Sequence, residues 1–198
     1  MSNLVFPLDK LVQISQGITL SRYRDDQGAQ ERIVNARNLD QLYIKGDLSL
    51  EQLNVSNLAQ YQLKTDDVVI TIRGTPIKAA VVTAEVAGSL AGQNLAMLRP
   101  KEDINKEDIN PVYLAVVLCS KWLERSLTML YGQSSATQLI SIAQLRKLEI
   151  PLPDLATQNK IAELFLSAER ARKITLETLE TRQKLTEFTL FQILEEQK

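Results

Sequence analysis

The sequence predicts an α+β protein, in which a mixed, mostly antiparallel sheet domain is followed by one long C-terminal coiled-coil helix. Between residues 63 and 99, short β-branched runs alternate with turn signals, as is typical of strands. Residues 154–198 contain neither Pro nor Gly and are rich in Leu, Glu, Lys and Gln, which favours one helix of roughly 40 residues, or about 60 Å. The predicted domains are therefore residues 1–153 and residues 154–198.

The composition is that of an ordinary folded protein without a membrane segment. Of the 198 residues, 44% are hydrophobic and 24% are charged, a balance that allows a core to form. No window approaches about 18 consecutive apolar residues, and the N-terminus lacks the basic and apolar regions of a signal peptide. We therefore expect a cytoplasmic protein that does not contact membranes.

The positions of the charged residues are more informative about possible binding partners than the net charge. The net charge of −1 supplies no overall attraction to a polyanion. Four arginines, Arg22, Arg24, Arg32 and Arg37, nevertheless lie close together in the N-terminal part of the chain. The sequence therefore allows a basic face on a protein that is neutral overall.

Several classes of enzyme are disfavoured by what the chain lacks. It has no histidine and a single cysteine, which argues against zinc, Cys–His and Ser–His chemistry. Cys119 follows the apolar run 113–118, a setting that indicates core packing. The adjacent Asp66 and Asp67 are interpreted as a turn rather than a catalytic carboxylate pair. No catalytic residue, metal site or bound cofactor is predicted.

The N-terminal part of the domain is predicted to contain a short helix, a loop and a strand. Apolar residues at 8, 11, 12 and 14 suit a helix over 8–14, which Gly17 ends. Residues 19–28 are polar and turn-rich, so they are expected to form an exposed loop. Residues 31–36 are predicted to be a short strand.

The centre of the domain is predicted to be an antiparallel sheet. Residues 68–72 form a β-branched run, and 79–83 follow as the return strand after a turn at 73–76. A further turn at 88–92 precedes a half-buried strand at 93–99.

A helix is predicted after the sheet. The acidic stretch 102–108 is interpreted as a solvated connection. Asn110 and Pro111 then open a helix from 112 to 129, with Trp122 on its buried side.

Two capping residues mark the helices that follow. Ser141 is predicted to cap a one-turn helix at 142–146, before a closing strand at 148–150. Asp154 is predicted to be the N-cap of the long helix.

The long helix carries a stripe with heptad spacing, interrupted by one step of three that shifts its phase. One helix cannot bury such a stripe alone, so pairing with a second helix is predicted. The stripe, interpreted as a dimerisation seam, consists of Ile161, Leu164, Ala168, Ala171, Ile174, Thr178, Thr181, Leu185 and Phe188.

Three polar loops, at 19–28, 73–78 and 132–138, offer groups that bind phosphates or base edges. Arginine and lysine can neutralise phosphates or read guanine, amides can pair with adenine, and hydroxyls can bind phosphate. Together with the nearby arginine cluster, they give the candidate DNA-binding residues Arg22, Tyr23, Arg24, Arg37, Arg73, Thr75, Lys78, Gln133, Ser134, Ser135, Thr137 and Gln138.

The order of motifs resembles the specificity subunit of type I restriction–modification systems, in particular one target-recognition domain followed by one spacer helix. The most specific part is Ile150-Pro151-Leu152-Pro153 followed by Gln158 and Ile161. The looser supporting motifs are the strand–turn from Asp67-Val68 to Gly74, Gly92-Gln93-Asn94, Pro111-Val112-Tyr113-Leu114, Gly132-Gln133-Ser134 and Ile140-Ser141.

The resemblance implies a function that the composition alone does not. The domain would bind one half of a bipartite target in double-stranded DNA, and the helix would pair antiparallel with another helix as a ruler. The helices would also dock methyltransferase subunits, which carry S-adenosylmethionine and the methylation chemistry, in a complex that includes restriction subunits. This chain would itself not be an enzyme.

The chain departs from the family in its size, since a complete subunit has two recognition domains and two spacer helices. It is either a fragment or a half-size subunit that forms a homodimer, and its Met start favours the second expectation. A two-fold dimer would read a split palindrome.

Two other classes of function remain open from the sequence. One is an assembly adaptor that acts through its coiled coil while the globular domain binds protein. The other is an enzyme with a carboxylate-based site, which the missing motifs disfavour. Strong salt dependence of duplex binding would separate DNA recognition from the adaptor.

Overall fold

The predicted fold class is confirmed in a computed structural model that describes residues 5–74, 76–101, 109–131 and 140–195. Three short 3-10 helices, Leu20–Arg22, Ala36–Leu39 and Leu58–Tyr61, connect the strands of the first half. The other described elements are, in chain order, β1 (Val5–Pro7), α1 (Leu8–Leu11), β2 (Val12–Gln16), β3 (Arg24–Val34), β4 (Ser49–Leu53), β5 (Val68–Thr71), β6 (Ala79–Val81), β7 (Leu90–Ala91), β8 (Leu95–Pro100), α2 (Pro111–Leu118), α3 (Lys121–Tyr131), α4 (Ile142–Lys147), β9 (Glu149–Pro151) and α5 (Leu155–Glu195).

The strands form three small sheets. The central sheet has the order β2-β8-β5-β6 and is antiparallel throughout. The second has the order β4-β3-β7, in which β3 pairs antiparallel with β4 and parallel with β7. The third joins β1 to β9, so the beginning of the described domain is tied to the strand that precedes the long helix.

The core lies where the sheets meet. All four residues of β5 are buried, as expected for a strand covered on both faces. Val69, Leu95 and Met97 pack in one cluster with Val34 of β3, which joins the two larger sheets. Each such side chain contributes about 1.5–3 kcal/mol by leaving water.

Two predictions for the N-terminal part were wrong. The helix predicted over 8–14 ends at Leu11, because Val12 and Ile14 are buried while Gln13 between them is exposed. That alternation has the period of a strand, and β2 pairs with β8. The loop predicted at 19–28 ends at Tyr23, since Arg24 begins β3, which is exposed over most of its length.

The single helix predicted over 112–129 is two helices, α2 and α3. Cys119 ends α2 and is exposed, so its predicted core position was wrong. Ser120 breaks the helix: its hydroxyl donates to the Val117 carbonyl at 2.7 Å, and its own carbonyl accepts from Leu123 N–H. This restart buries Leu123 and leaves Trp122 37% exposed, contrary to the prediction. The stretch 102–108 lies outside the described residues.

The predicted caps and the elements around them are confirmed. Ser141 accepts from Gln144 N–H at 3.1 Å, and the Gln144 side chain accepts in return from Ser141 N–H, which completes a capping box for α4. Asp154 accepts from Thr157 N–H at 2.8 Å at the start of α5. α5 then runs for 41 residues.

The start of α5 is fixed to the domain through a buried amide. Gln158 is 1% exposed, and its Oε1 accepts from Asn110 N–H at 2.9 Å while its Nε2 donates to Pro153 O at 2.9 Å. Asn110 in turn caps α2 by accepting from Val112 and Tyr113 N–H groups. Gln158 therefore joins the first turns of two helices.

The contacts divide the chain into two compact units, Met1–Ala162 and Glu163–Lys198. The first two turns of α5 accordingly belong to the first unit, and the remainder of α5 forms the second. In the described part of the chain, no helix is apolar enough over a sufficient length to cross a membrane.

Candidate nucleic-acid interface

The first predicted cluster surrounds the beginning of β3. Arg22 and Arg24 are exposed, and the Arg24 guanidinium donates to Glu51 Oε2 from Nη2 at 2.7 Å and from Nε at 3.2 Å. Glu51 lies on the neighbouring strand β4. An exposed pair of this kind is worth at most about 1 kcal/mol, so a phosphate can replace Glu51 at little cost.

Tyr23, predicted to offer an aromatic face, is half-buried. Its ring lies 6.2 Å from the ring of Tyr61, and the two hydroxyl oxygens are 3.5 Å apart. The hydrogen bond with Tyr23, followed by burial, raises the pKa of Tyr61. Both rings pack against the cluster that contains Ile33 and Leu90. The structure therefore gives Tyr23 a packing role and leaves only part of its ring accessible.

Arg37 is exposed on the 3-10 helix Ala36–Leu39, where it donates from Nη2 to Ser49 Oγ at 2.9 Å. Asn35 holds this helix in place, because its side chain accepts from Asn38 N–H while Asn38 Oδ1 accepts from Asn35 N–H. Asn35 Nδ2 also donates to Ser49 Oγ at 3.0 Å. Ser49 begins β4, the strand whose Glu51 pairs with Arg24.

Arg73 and Lys78 lie on the hairpin between β5 and β6. Arg73 is exposed, and the Lys78 ammonium forms an ion pair with Asp40 directly after the 3-10 helix Ala36–Leu39. Thr71 closes the hairpin, since its Oγ1 accepts from Lys78 N–H at 2.9 Å. Thr75, in the same hairpin, lies outside the described residues.

The predicted loop at 132–138 also lies outside the described residues. Its candidate residues are Gln133, Ser134, Ser135, Thr137 and Gln138. The next described residue, Ile140, donates its N–H to Ile72 O at 3.0 Å, beside Arg73.

Direct contacts join the β5–β6 hairpin, the turn at 92–94 and the residues that lead into the 3-10 helix Ala36–Leu39. Ile72 N–H donates to Asn94 O at 2.9 Å, which connects the β5–β6 hairpin with the turn at 92–94. Gly92 N–H donates to Val34 O at 2.9 Å, next to the 3-10 helix that carries Arg37. The structure therefore places Arg37, Arg73 and Lys78 on segments that contact one another.

A cleft of about 360 Å³, with both polar and apolar walls, opens between the turn at 92–94, the beginning of the 3-10 helix Ala36–Leu39 and Ser49 of β4. Its walls include Asn35, Arg37, Ser49, Gln93 and Asn94. Of these, only Arg37 was predicted from the sequence as a site residue. The sequence signal for Gln93 and Asn94 was present, because two amides follow Gly92 directly before a strand, but the alternation in 93–99 favoured assigning them to the strand.

A second cleft, of about 320 Å³, lies on the sheet face formed by β2 and β8 and includes Gln13, Tyr61 and Arg99. Arg99 is bound there by Asp67, which accepts from its Nε at 2.8 Å and its Nη2 at 2.6 Å. The hydrogen bond to Asp67 raises the pKa of Arg99. Asp67 is almost fully buried and also accepts from Lys64 N–H, which confirms its turn role and adds an ion pair that the sequence did not reveal.

In the ranges that the structure describes, no group of three or more His, Cys, Asp or Glu residues is arranged to hold a metal ion. The polar side chains that line the 360 Å³ cleft carry guanidinium, hydroxyl and amide groups. These groups bind phosphates and base edges rather than hard cations.

The comparisons with known proteins agree with each other. A family model described as "Type I restriction modification DNA specificity domain" matches residues 5–187. A putative type I restriction enzyme MjaX specificity subunit from Methanocaldococcus jannaschii is 26% identical over 161 residues, which are 79% of this chain and 37% of that protein.

Two solved structures share the fold. One is a chain from a type I R-M system, with a TM-score of 0.59 and 19% identity over 85% of this chain and 38% of the other. The other is the HsdS subunit from Thermoanaerobacter tengcongensis, with a TM-score of 0.55 and 19% identity over 85% of this chain and 37% of the other. This chain thus spans less than two-fifths of each of these relatives. Because the family model covers nearly all of its described residues, the chain belongs to the family of type I restriction–modification DNA specificity domains.

Proposed function

We propose that this chain is a non-catalytic DNA-recognition module of a type I restriction–modification complex, which binds one half of a bipartite duplex target. The observation that carries the proposal is that Arg37, Arg73 and Lys78 lie on segments that contact one another, and that Arg37 lines a cleft with exposed amides. The match to a DNA specificity domain over residues 5–187 supports the choice of ligand.

The local charge explains how a chain of net charge −1 binds a polyanion. In the free protein, Lys78 is held by the exposed carboxylate of Asp40, and Arg24 is held by the half-buried carboxylate of Glu51. DNA phosphates exchange with these carboxylates and release counterions, which supplies the affinity. Sequence is then read by side chains that reach base edges from the cleft.

The long helix supports a proposed homodimer. Within the predicted seam Ile161 is half-buried, and the other positions are exposed, among them Leu164, Ile174 and Leu185. The seam threonines are less polar than their residue type suggests, because Thr178 and Thr181 donate their hydroxyls to carbonyls of their own helix at 2.8 Å. Antiparallel pairing with the helix of a second copy buries this stripe and gives a target of two related halves with a fixed gap.

The same helix carries apolar side chains beyond the predicted seam. They are Phe165, Leu176, Leu179, Leu190, Phe191, Ile193 and Leu194, all exposed. A surface wider than one seam suits contact with more than one partner helix. We assign this additional surface to methyltransferase subunits, which would bind S-adenosylmethionine and carry the chemistry, and the complete complex would also include restriction subunits.

Salt dependence of duplex binding tests the proposal. The wild-type chain and the triple variant Arg37→Ala, Arg73→Ala, Lys78→Ala are titrated with a duplex over a range of salt concentrations, with and without the methyltransferase subunit. Each lost phosphate contact is expected to reduce the slope of log K against log salt by about 0.9. A matched triple variant of exposed cations on α3 and α4, Arg125→Ala, Arg146→Ala, Lys147→Ala, is expected to keep the wild-type slope.

Equal slopes for the wild type and the triple variant Arg37→Ala, Arg73→Ala, Lys78→Ala would contradict the DNA interface. Failure of the wild type to bind any duplex in the complex at low salt would contradict DNA recognition altogether. Salt-independent binding of a protein partner by the globular domain would instead support the adaptor.

A further inference from the structure

We infer that the consecutive amides Gln93 and Asn94 form a base-reading site that is positioned by the backbone around them. The inference deepens the proposed function and rests on it. The ligand is the major-groove edge of a purine in double-stranded DNA, and adenine fits best, because an amide pairs with adenine N6 and N7 in two hydrogen bonds.

The turn at 92–94 is held by its neighbours on several sides. Ile18 N–H donates to Ala91 O at 2.7 Å, and Gly17 N–H donates to Leu95 O at 2.9 Å. Gln16 Nε2 donates to Gln93 O at 3.1 Å. Together with the bonds from Ile72 to Asn94 O and from Gly92 to Val34 O, these contacts fix the backbone of the turn on both flanks.

Two glycines allow this close approach. A Cβ on Gly17 would lie 2.2 Å from Gly92 O, and a Cβ on Gly92 would lie 3.0 Å from Asn35 Oδ1 and 3.1 Å from Val34 O. The backbones of three segments therefore touch at the base of the turn. A turn anchored in this way presents its side chains in one place before the ligand arrives, which lowers the entropic cost of binding.

The side-chain amides of Gln93 and Asn94 make no hydrogen bond within the described ranges 5–74, 76–101, 109–131 and 140–195. Both side chains are exposed. Asn35, by contrast, uses both ends of its amide within the same cleft, through Asn38 N–H and Ser49 Oγ. Gln93 and Asn94 thus present exposed amide groups in the wall of a cleft that also includes the cation Arg37.

The cations and the neutral amides of this region are expected to have different roles in DNA binding. Arg37 and the nearby Arg73 supply attraction to phosphates, which positions the duplex without reading its sequence. The neutral amides add no such attraction, so their contribution is to the choice of base. This separation predicts that their removal changes specificity and leaves the salt dependence unchanged.

The test is a selection from a random duplex library by the complex of this chain with the methyltransferase subunit, followed by sequencing. Wild type is compared with Gln93→Ala, Asn94→Ala, the double variant, and Asn57→Ala, an exposed turn amide outside the cleft. Gln93 and Asn94 have negative φ, so alanine introduces no backbone strain, and unchanged melting temperatures verify the fold.

We expect the wild type and Asn57→Ala to enrich the same sequence. The amide variants should lose preference at one or two base pairs, by about 5- to 150-fold at each, with an unchanged salt slope. The charge variants Gln93→Glu and Asn94→Asp should move the preference at those positions from adenine towards cytosine, whose N4 donates to a carboxylate. A residue with a purely structural role would not redirect the preference.

The possible results separate base reading by Gln93 and Asn94 from the DNA recognition on which it rests. If the wild type enriches a sequence and all the amide variants enrich the same sequence equally well, the inference is wrong while the proposed function stands. If the wild type enriches nothing, both are wrong.

Discussion

At the scale of single residues, buried polar side chains stabilise this fold at positions where the sequence did not predict burial. Asp67 and Gln158 are each 1% exposed, and each is surrounded by hydrogen-bond partners from other segments. Residue type predicted neither burial, because aspartate and glutamine are usually solvated. The partners Arg99 and Asn110 lie 32 and 48 positions away, a separation that local patterns cannot reveal.

Gln158→Ala is expected to destabilise the domain by about 2–3 kcal/mol, because Asn110 N–H loses its acceptor in a partly buried position. The measurement is urea denaturation at a fixed protein concentration. The neighbouring Asn159→Ala removes one exposed hydrogen bond, from Asn110 Nδ2, and should cost less than about 1 kcal/mol. Equal losses for the two variants would show that burial of Gln158 does not matter.

The candidate site was predictable from residue type only where charge was involved. Arg37, Arg73 and Lys78 were predicted and are brought to neighbouring segments, whereas the predicted Tyr23 is largely committed to packing with Tyr61. Gln93 and Asn94 were not predicted as site residues, because their exposure depends on a turn held by segments far away in sequence.

At the scale of elements, prediction succeeded where local signals dominate. The caps Ser141 and Asp154, β5 and the 41-residue α5 were predicted from residue type, β-branched runs and the lack of Gly and Pro. The predictions of one continuous helix over 8–14 and one over 112–129 were wrong, although the spacing of apolar residues suited a helix in both. Pairing of β2 with β8 overrides the first pattern, and the bonds of Ser120 interrupt the second.

The Asp154 cap gives stability a definite dependence on pH. Hydrogen bonds from Thr157 N–H and then from the Thr157 hydroxyl hold the pKa of Asp154 below its ordinary value of 3.8. A lowered folded-state pKa contributes stability above pH 3.8, and this contribution is lost as the pH falls through the folded-state value. Asp154→Asn should therefore be less stable than wild type at pH 7, by a margin that narrows below pH 3.8.

Urea midpoints of both proteins, measured in steps from pH 7 to pH 3, give that margin directly. Asn keeps the cap acceptor and removes only the ionisation, so other acidic groups cancel in the difference. A margin that stays constant over the whole range would contradict the cap's electrostatic contribution.

The seam of α5 predicts self-association that depends on apolar positions. Ile174→Asp and Leu185→Asp should each weaken the dimer by at least about 100-fold, because pairing would bury an uncompensated carboxylate. Sedimentation equilibrium measures this change. The adjacent substitutions Lys173→Asp and Lys184→Asp add a carboxylate outside the seam and should weaken the dimer much less. A wild-type protein that stays monomeric at all concentrations would contradict the homodimer.

At the scale of the whole molecule, family membership connects the domain and the helix in one function. The part of the chain that matches covers 37–38% of each of these relatives, and the proposed homodimer would supply two such parts. A homodimer with two-fold symmetry would present two identical recognition domains to the DNA. The target bases are set by loop conformation and DNA shape, which residue order does not encode.

Mapping of methylated adenines tests the proposed DNA-recognition role of this chain. DNA is treated with the methyltransferase subunit and S-adenosylmethionine, with and without this chain, and every modified position is sequenced. We expect methylation only when the chain is present, at one split sequence with a constant gap and two symmetric halves. Methylation that is independent of the chain, or that follows no fixed sequence, would contradict its role as the DNA-recognition subunit.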